Sequence, residues 1–304
     1  MGIRLGTNPI AWSNDDMREL GAEISLETCL SQAKAAGFEG IELGHKFPRT
    51  SAALRPILDD HGIALIGGWH STQLLTRLVS DEWKAAEDHL ALLKDMGCTV
   101  FIMAETSDAV HGERGVPLSR RPVLEPGGWA EFGRRMSEFS TRLRDQGYLP
   151  AFHHHMGTVV ETVEEIARFM EETSDAVGLL LDTGHAAFAG IDPAGLARTY
   201  GSRITHVHCK DIRLSVRSAA LESDASFPDA VLGNVSTVPG EGIFTVPGDG
   251  DVDFASVLAE MKKAAYDGWL VVEAEQDPEK ADPETYANLG FANLQFFATD
   301  AGLI

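Results

Sequence analysis

The chain has 304 residues, of which 44% are hydrophobic, and it carries a formal net charge of -21 at pH 7. This length and composition suffice to bury a large core, so we predict a single domain over residues 1–304. The negative charge argues against nucleic acid and anionic membranes as partners, because both would repel such a surface.

The cysteines and the apolar runs predict the compartment. Cys29, Cys98 and Cys209 are odd in number, widely spaced and without a CxxC pair, which is typical of a reducing environment. No apolar run is long enough to span a bilayer, and the first residues lack the basic and apolar regions of a signal peptide. We therefore expect a cytoplasmic protein.

Buried-strand patterns alternate with helical patterns along the chain, which indicates repeated βα units around a parallel sheet. The predicted strands are 3–8, 40–44, 64–70, 99–105, 149–155, 177–182, 204–211 and 268–275. The predicted helices are 25–37, 50–61, 81–96, 128–146, 160–172, 192–200, 253–265 and 282–299. Eight units favour a closed (β/α)8 TIM barrel over an open doubly wound sheet, because no Gly-rich phosphate fingerprint follows the first strand.

Two loops are longer than ordinary βα connections. They are 106–127, after the fourth strand, and 212–252, after the seventh, and both lie on the same rim of the predicted barrel. Loops of this length commonly act as lids or carry binding residues, and they also serve as oligomer contacts or as insertions without a role. The sequence does not decide between these roles, and whether 212–252 closes over a substrate stays open.

Four strand ends each carry a side chain of a metal-ligand type: His153, Asp182, His208 and Glu273. Side chains alternate along a strand, so His155 shares the face of His153, and Lys210 shares the face of His208. Singly, such residues are more often structural, but four at successive strand ends predict one convergent site. Imidazole and carboxylate ligands suit a divalent first-row cation such as Mn, Fe, Co or Zn.

Other polar and aromatic residues end the remaining strands, and we predict that they form a ring that faces the substrate. Glu42 and Glu105 have the alternative of structural ion pairs, and the tryptophans have that of core packing. The ring consists of Asn8, Trp12, Glu42, Trp69, His70, Glu105 and Glu275.

The chain carries the motifs AFHHH, DTGH, HxKD and VVE in this order at the ends of four strands. In this order of motifs it resembles, over essentially its whole length, the sugar isomerase/epimerase-like superfamily of xylose-isomerase-type barrels. The runs GTNPIAWSNDDM and HHHMGT are similar to the myo-inosose-2 dehydratase family. The resemblance implies that Asp182, His208 and Glu273 are metal ligands. Many relatives have a Glu where this chain has His153, so the fourth ligand is either His153 or Glu105. The family is associated with Co or Mn and with glutathione.

The resemblance also implies a reaction, the removal of water from 2-keto-myo-inositol to give a trihydroxycyclohexane-dione. Such a reaction needs a base and an acid, and His155 and His185 have ordinary pKa values near working pH. Lys210 is a further proton donor or, alternatively, a salt-bridge partner. The alternatives are a metal-dependent keto-sugar isomerase or epimerase and a non-catalytic polyol-binding barrel. We expect a small-molecule substrate and a homo-oligomer.

Overall fold

The computed structural model describes residues 2–235 and 241–304. Within them, eight parallel strands close into a barrel, which confirms the predicted TIM-barrel architecture. The first strand pairs with the second and with the eighth, where Arg4 lies opposite Trp269. The barrel strands are Arg4–Thr7, Gly40–Leu43, Ala64–Thr72, Val100–Glu105, Leu149–His153, Leu179–Asp182, Ile204–Cys209 and Trp269–Val272.

The barrel strands are apolar because both of their faces are covered. Ile102 and Leu180 belong to a small cluster of buried side chains from neighbouring strands. Phe101 and Leu181, each one residue away on the opposite face, belong to the large cluster shared with the helices. This alternation explains why each strand reads as a continuous apolar run up to its polar end.

Helices connect the strands, and each predicted strand or helix end lies within three residues of an observed one. Gly37 and Gly62 end their helices at φ 113 and 60, a left-handed conformation that favours glycine. No helix in the described part of the chain is long and apolar enough to cross a membrane. The α-helices are Leu26–Ala36, Ser51–His61, Val79–Asp95, Trp129–Asp145, Val163–Glu172, Thr183–Phe188, Pro193–Tyr200, Leu214–Glu222, Phe227–Leu232, Phe254–Lys263 and Pro283–Asp300.

The two long loops meet over the rim. The later one contains two helices and a short antiparallel pairing of Asp211–Ile212 with Phe244–Thr245, and its residues 236–240 lie outside the described residues. Leu118 of the earlier loop donates its backbone N–H to the carbonyl of Ala225, at 3.2 Å. Side chains from both loops and from the barrel rim share a second apolar core that includes Met17, Leu118, Met156, Phe188, Phe227 and Phe244.

Candidate active site

Four buried side chains converge at the carboxyl end of the barrel. His153, Asp182, His208 and Glu273 each offer one ligand atom, and these atoms all lie within 4.8 Å of one another. Asp182 Oδ2 is 3.3 Å from His153 Nε2 and 3.5 Å from His208 Nδ1. His208 Nδ1 also contacts Glu273 Oε2. The structure therefore brings together the four residues that we predicted as metal ligands.

Local hydrogen bonds aim the ligand atoms of two of these residues into the cluster. Asp182 caps the helix Thr183–Phe188, because its Oδ1 accepts the backbone N–H of His185 at 2.8 Å and leaves Oδ2 to the cluster. His153 Nδ1 is 2.5 Å from the carbonyl oxygen of His154, so this nitrogen carries the proton. The lone pair of His153 is then on Nε2, the atom that faces Asp182.

The donor set fits a divalent cation. Asp182 Oδ2, His208 Nδ1 and Glu273 Oε2 are buried and make no hydrogen bond within the described residues. Burying carboxylates and imidazole lone pairs against one another is costly unless a positive charge lies among them. Two imidazole nitrogens and two carboxylate oxygens suit Mn, Fe, Co or Zn better than Mg.

Lys210 supplies the positive charge beside the cluster. Its Nζ lies 3.0 Å from Glu275 Oε2, 3.2 Å from Glu273 Oε1 and 3.6 Å from Asp182 Oδ2, and its side chain is fully buried. Burial alone would lower the pKa of Lys210, but the three carboxylates outweigh it and raise this pKa. Lys210 therefore remains an ammonium ion, which favours the salt-bridge alternative over a proton donor.

The pKa values of the three carboxyl groups around Lys210 shift in different directions. Burial acts to raise the pKa of Asp182, but Lys210, His185, His153 and His208 together outweigh it, so that this pKa is lowered. Burial also acts to raise the pKa of Glu273, but His208 and Lys210 together outweigh it, and this pKa is lowered as well. For Glu275 burial prevails over Lys210 and raises the pKa to about 7.

A cavity of about 610 Å³ lies over the cluster and opens to solvent. Four residues of the predicted substrate-facing ring line it, namely Asn8, Glu42, Trp69 and Glu275. Asp15, Asp16 and His111, which we did not predict as site residues, also line it. Long loops after barrel strands commonly carry binding residues, but nothing in the pattern of 106–127 distinguishes His111 from its neighbours. The remaining lining residues are Ile10, Leu43, Ile102, His153, His155, His208 and Glu273.

Of the two histidines predicted as acid and base, His155 lines the cavity and His185 does not. His155 lines the cavity and has its Nδ1 2.8 Å from the carbonyl of Met156, which leaves Nε2 unprotonated. His185 lies beside it, with Nδ1 accepting the Met156 N–H at 3.2 Å and Nε2 3.9 Å from Glu275 Oε2. The expectation of ordinary pKa values was wrong, because burial lowers the pKa of both histidines well below its usual value.

Trp12 and His70, which we predicted as substrate contacts, do not line this cavity. Trp12 is buried, and its indole N–H donates to Gln32 Oε1 at 2.7 Å. His70 Nε2 is 2.7 Å from Glu82 Oε1 in the helix layer. His70 follows Trp69 on the third strand, and since Trp69 faces the cavity, His70 faces the opposite way.

Glu105 is also absent from the cavity and from the four-residue cluster. Its carboxylate accepts the backbone N–H groups of Leu74, at 2.7 Å, and Ser107, at 3.2 Å. Ile102 lines the cavity from the same strand, so Glu105, three residues later, lies on the other face. The structure therefore places His153, and not Glu105, as the fourth member of the candidate metal site.

Glu42 has a more central place than the sequence indicated. It is buried, and its Oε1 lies 2.6 Å from His206 Nε2 and 3.1 Å from His208 Nε2. Asn8 donates from Nδ2 to Glu42 Oε2 at 2.6 Å, and Asn8 Oδ1 accepts the N–H of Ile10. Both polar groups of Asn8 are thus occupied within the protein, although Asn8 lines the cavity.

The whole chain has close relatives among known proteins. Residues 30–295 match the model of the xylose isomerase-like TIM barrel family. The rhizopine catabolism protein MocC of Rhizobium meliloti is 49% identical over 99% of this chain and 90% of its own length. Inosose dehydratase 2 of Bacillus cereus is 41% identical over 94% of each chain. This chain belongs to the inosose dehydratase family.

Solved structures support the same fold at lower identity. The probable 3-DHS dehydratase AsbF of Bacillus anthracis has a TM-score of 0.67 and 14% identity, over 96% of this chain and 98% of its own. An L-ribulose 3-epimerase has a TM-score of 0.65 and 16% identity, over 99% of this chain and 97% of its own. The barrel is therefore that of the xylose isomerase-like proteins, as the resemblance implied.

Proposed function

We propose that this protein is a hydro-lyase of inositol catabolism that removes water from 2-keto-myo-inositol and yields a trihydroxycyclohexane-dione. Relatives at 38% to 41% identity over nearly their full lengths carry the name inosose dehydratase. The observation that carries the proposal is that two imidazoles and two carboxylates converge below a polar cavity, in a chain of the inosose dehydratase family. An alkyl ketone with neighbouring hydroxyls is the kind of substrate that this arrangement suits.

The reaction makes three chemical demands. A proton next to the ketone must be removed, the negative charge of the resulting enolate must be stabilised, and the β-hydroxyl must leave with a proton as water. We propose that His153, Asp182, His208 and Glu273 hold a divalent cation, Mn or Co, which when bound supplies Lewis-acid stabilisation of developing negative charge.

The proton transfers need groups that face the cavity. We propose that His155 removes the carbon-bound proton, because it is neutral and its Nε2 is unprotonated at the cavity wall. Glu275, which also lines the cavity, is placed to hand a proton to the leaving hydroxyl. Lys210 holds Glu275 from behind, and His185 packs against His155 with ring centroids 3.9 Å apart. Both are then positioning residues.

Substrate hydroxyls need polar partners at the cavity mouth. We propose Asp15, Asp16 and His111 for this role, and Trp69 as the apolar face against the ring of the substrate. We further propose that the protein acts on a small molecule, assembles as a homo-oligomer and forms one domain over residues 1–304. Light scattering checks the assembly, and limited proteolysis checks the domain.

An assay of product formation tests the proposal. The purified protein is treated with a chelator and dialysed, and single metals are then returned with 2-keto-myo-inositol, with and without glutathione. We expect an ultraviolet-absorbing dione to form only after Mn or Co is returned. Interconversion of ketoses without loss of water would contradict dehydration and favour a keto-sugar isomerase or epimerase.

A further inference from the structure

We propose that Glu42 is a positioning residue that fixes which nitrogen of His208 is offered to the metal. The inference rests on the metal site proposed above and goes beyond it, because Glu42 is not one of the four residues of that site. Glu42 is the penultimate residue of the second barrel strand and His208 that of the seventh, so the contact joins elements far apart in sequence.

The geometry fixes the proton on His208. A carboxylate can only accept a hydrogen bond, so the His208 Nε2, 3.1 Å from Glu42 Oε1, is the protonated nitrogen. His208 Nδ1 lies 3.5 Å from Asp182 Oδ2 and contacts Glu273, so it is the nitrogen that faces the cluster. A cation that binds there would displace the proton of Nδ1, while Glu42 keeps the proton on Nε2. Without this acceptor, the ring would be free to protonate Nδ1 and to turn its lone pair away from the cluster.

Glu42 is itself held on both sides, which makes it a firm anchor. His206 Nε2 lies 2.6 Å from Oε1, and Asn8 Nδ2 lies 2.6 Å from Oε2. The side chains of Glu42, His206 and His208 are buried, and that of Asn8 is half-buried. A carboxylate that accepts the second N–H of a metal-bound imidazole also makes that imidazole a stronger ligand, and its loss typically costs about 10- to 100-fold in metal affinity.

The chain offers a matched control for this contact. His70 Nε2 lies 2.7 Å from Glu82 Oε1, so Glu82 is a second buried carboxylate paired with a histidine. This pair lies in the helix layer and not at the cluster. Replacing Glu82 by Gln therefore removes a similar charge and hydrogen bond without touching the candidate ligands.

The test is a titration with Co²⁺, followed by visible absorption and by competition with a chelator. It compares the metal-depleted wild type with Glu42→Gln and Glu82→Gln, at a pH where all three are folded by circular dichroism. We expect Glu42→Gln to raise the Kd for Co²⁺ by about 10- to 100-fold and to change the d–d spectrum. Glu82→Gln is expected to leave the Kd and the spectrum unchanged.

The outcomes separate this inference from the metal site itself. A wild type that binds no Co²⁺ overturns the metal site and the inference together. A wild type that binds Co²⁺, with Glu42→Gln at the same Kd and spectrum, overturns only the role of Glu42. An equal loss of affinity in Glu42→Gln and Glu82→Gln also overturns it, because the effect would then be one of general stability.

A second variant covers the case in which Glu42→Gln does not fold. Asn8→Ala removes one of the hydrogen bonds that hold Glu42 and leaves its charge in place. We expect a smaller rise in Kd, about threefold to tenfold, in line with the loss of one hydrogen bond. A Kd equal to that of the wild type would contradict the anchoring of His208 through Glu42.

Discussion

Lys210 is the residue on which the charge balance of the site depends. Its ammonium group lies within 3.6 Å of three carboxylates, and all four side chains are buried. In the absence of metal, it is the fixed positive charge among Asp182, Glu273 and Glu275. Removing one partner of a buried ion pair leaves uncompensated charge in a medium of low dielectric constant.

We therefore expect Lys210→Met to destabilise the metal-depleted protein by about 3 to 5 kcal/mol, the usual cost of breaking a buried pair. Urea denaturation followed by circular dichroism measures the loss. Lys263 serves as the control, since its side chain is 70% exposed and pairs with Glu260, and Lys263→Met should change the stability by less than about 1 kcal/mol. Equal effects of the two substitutions would contradict the account of Lys210.

His155→Gln tests the proposed base. We expect the variant to retain the metal of the wild type and to lose about 10²- to 10⁴-fold in kcat, because a general base is removed without loss of a ligand. Exchange of the carbon-bound hydrogen next to the ketone with deuterated solvent should be lost to the same extent. An unchanged kcat, or a loss of bound metal in proportion to the activity, would rule out this role.

At the residue scale, the sequence predicted the four converging ligand types because each ends an apolar strand. It could not tell which of two neighbouring strand-end residues faces inward. Trp69 and His70 are both plausible, and the closure of the barrel decides that Trp69 faces the cavity. Likewise, Glu105 points away from the cavity because it lies three residues after Ile102, which faces it.

At the element scale, the short helix Thr183–Phe188 packs tightly against the end of the seventh strand. A Cβ added at Gly184 would lie 2.5 Å from Cγ and 2.7 Å from Cδ of Lys210. The Lys210 side chain is fully buried. The glycine of the DTGH run therefore makes room for the lysine of the HxKD run.

Gly184→Ala should shift Lys210, and through it Glu275, and so lower kcat by about 10-fold or more, as a small misplacement in an active site does. Gly127→Ala is the control, because no atom lies within 4 Å of a Cβ at that position. Steady-state kinetics, with thermal unfolding of both variants, measure the effects. Wild-type kcat in Gly184→Ala would contradict the proposed positioning by Lys210.

The regular βα units were predictable because their helices and strands have clear periodicity and clear ends. The loop 212–252 was not, because its helices Leu214–Glu222 and Phe227–Leu232 are short. Their apolar faces pack with Met17 and Leu118, which lie far away in the sequence. Tertiary contacts of this kind determine structure that local patterns do not reveal.

At the scale of the whole molecule, buried histidines link stability to pH. His89 lies between its helix and the third strand, with Nε2 3.1 Å from the carbonyl of Gly68. Burial is the main cause that lowers its pKa from 6.5 to about 4. Between these values the unfolded chain binds more protons than the folded one, so the free energy of unfolding falls as the pH falls.

His89 should contribute up to about 3 kcal/mol to this loss between pH 7 and pH 4. His89→Gln should therefore show a smaller decrease in unfolding free energy over this range than the wild type. Urea denaturation at several pH values, with a chelator present throughout, measures both slopes. Identical slopes would contradict the assignment to His89.

The most direct test of the central claim is the metal content of the purified protein and of His208→Ala, measured by elemental analysis after dialysis against Mn²⁺ or Co²⁺. The four converging side chains predict about one divalent ion per chain in the wild type, and little in a folded His208→Ala, because an imidazole ligand is missing. Equal metal content in the two proteins, or none in the wild type, would contradict the account.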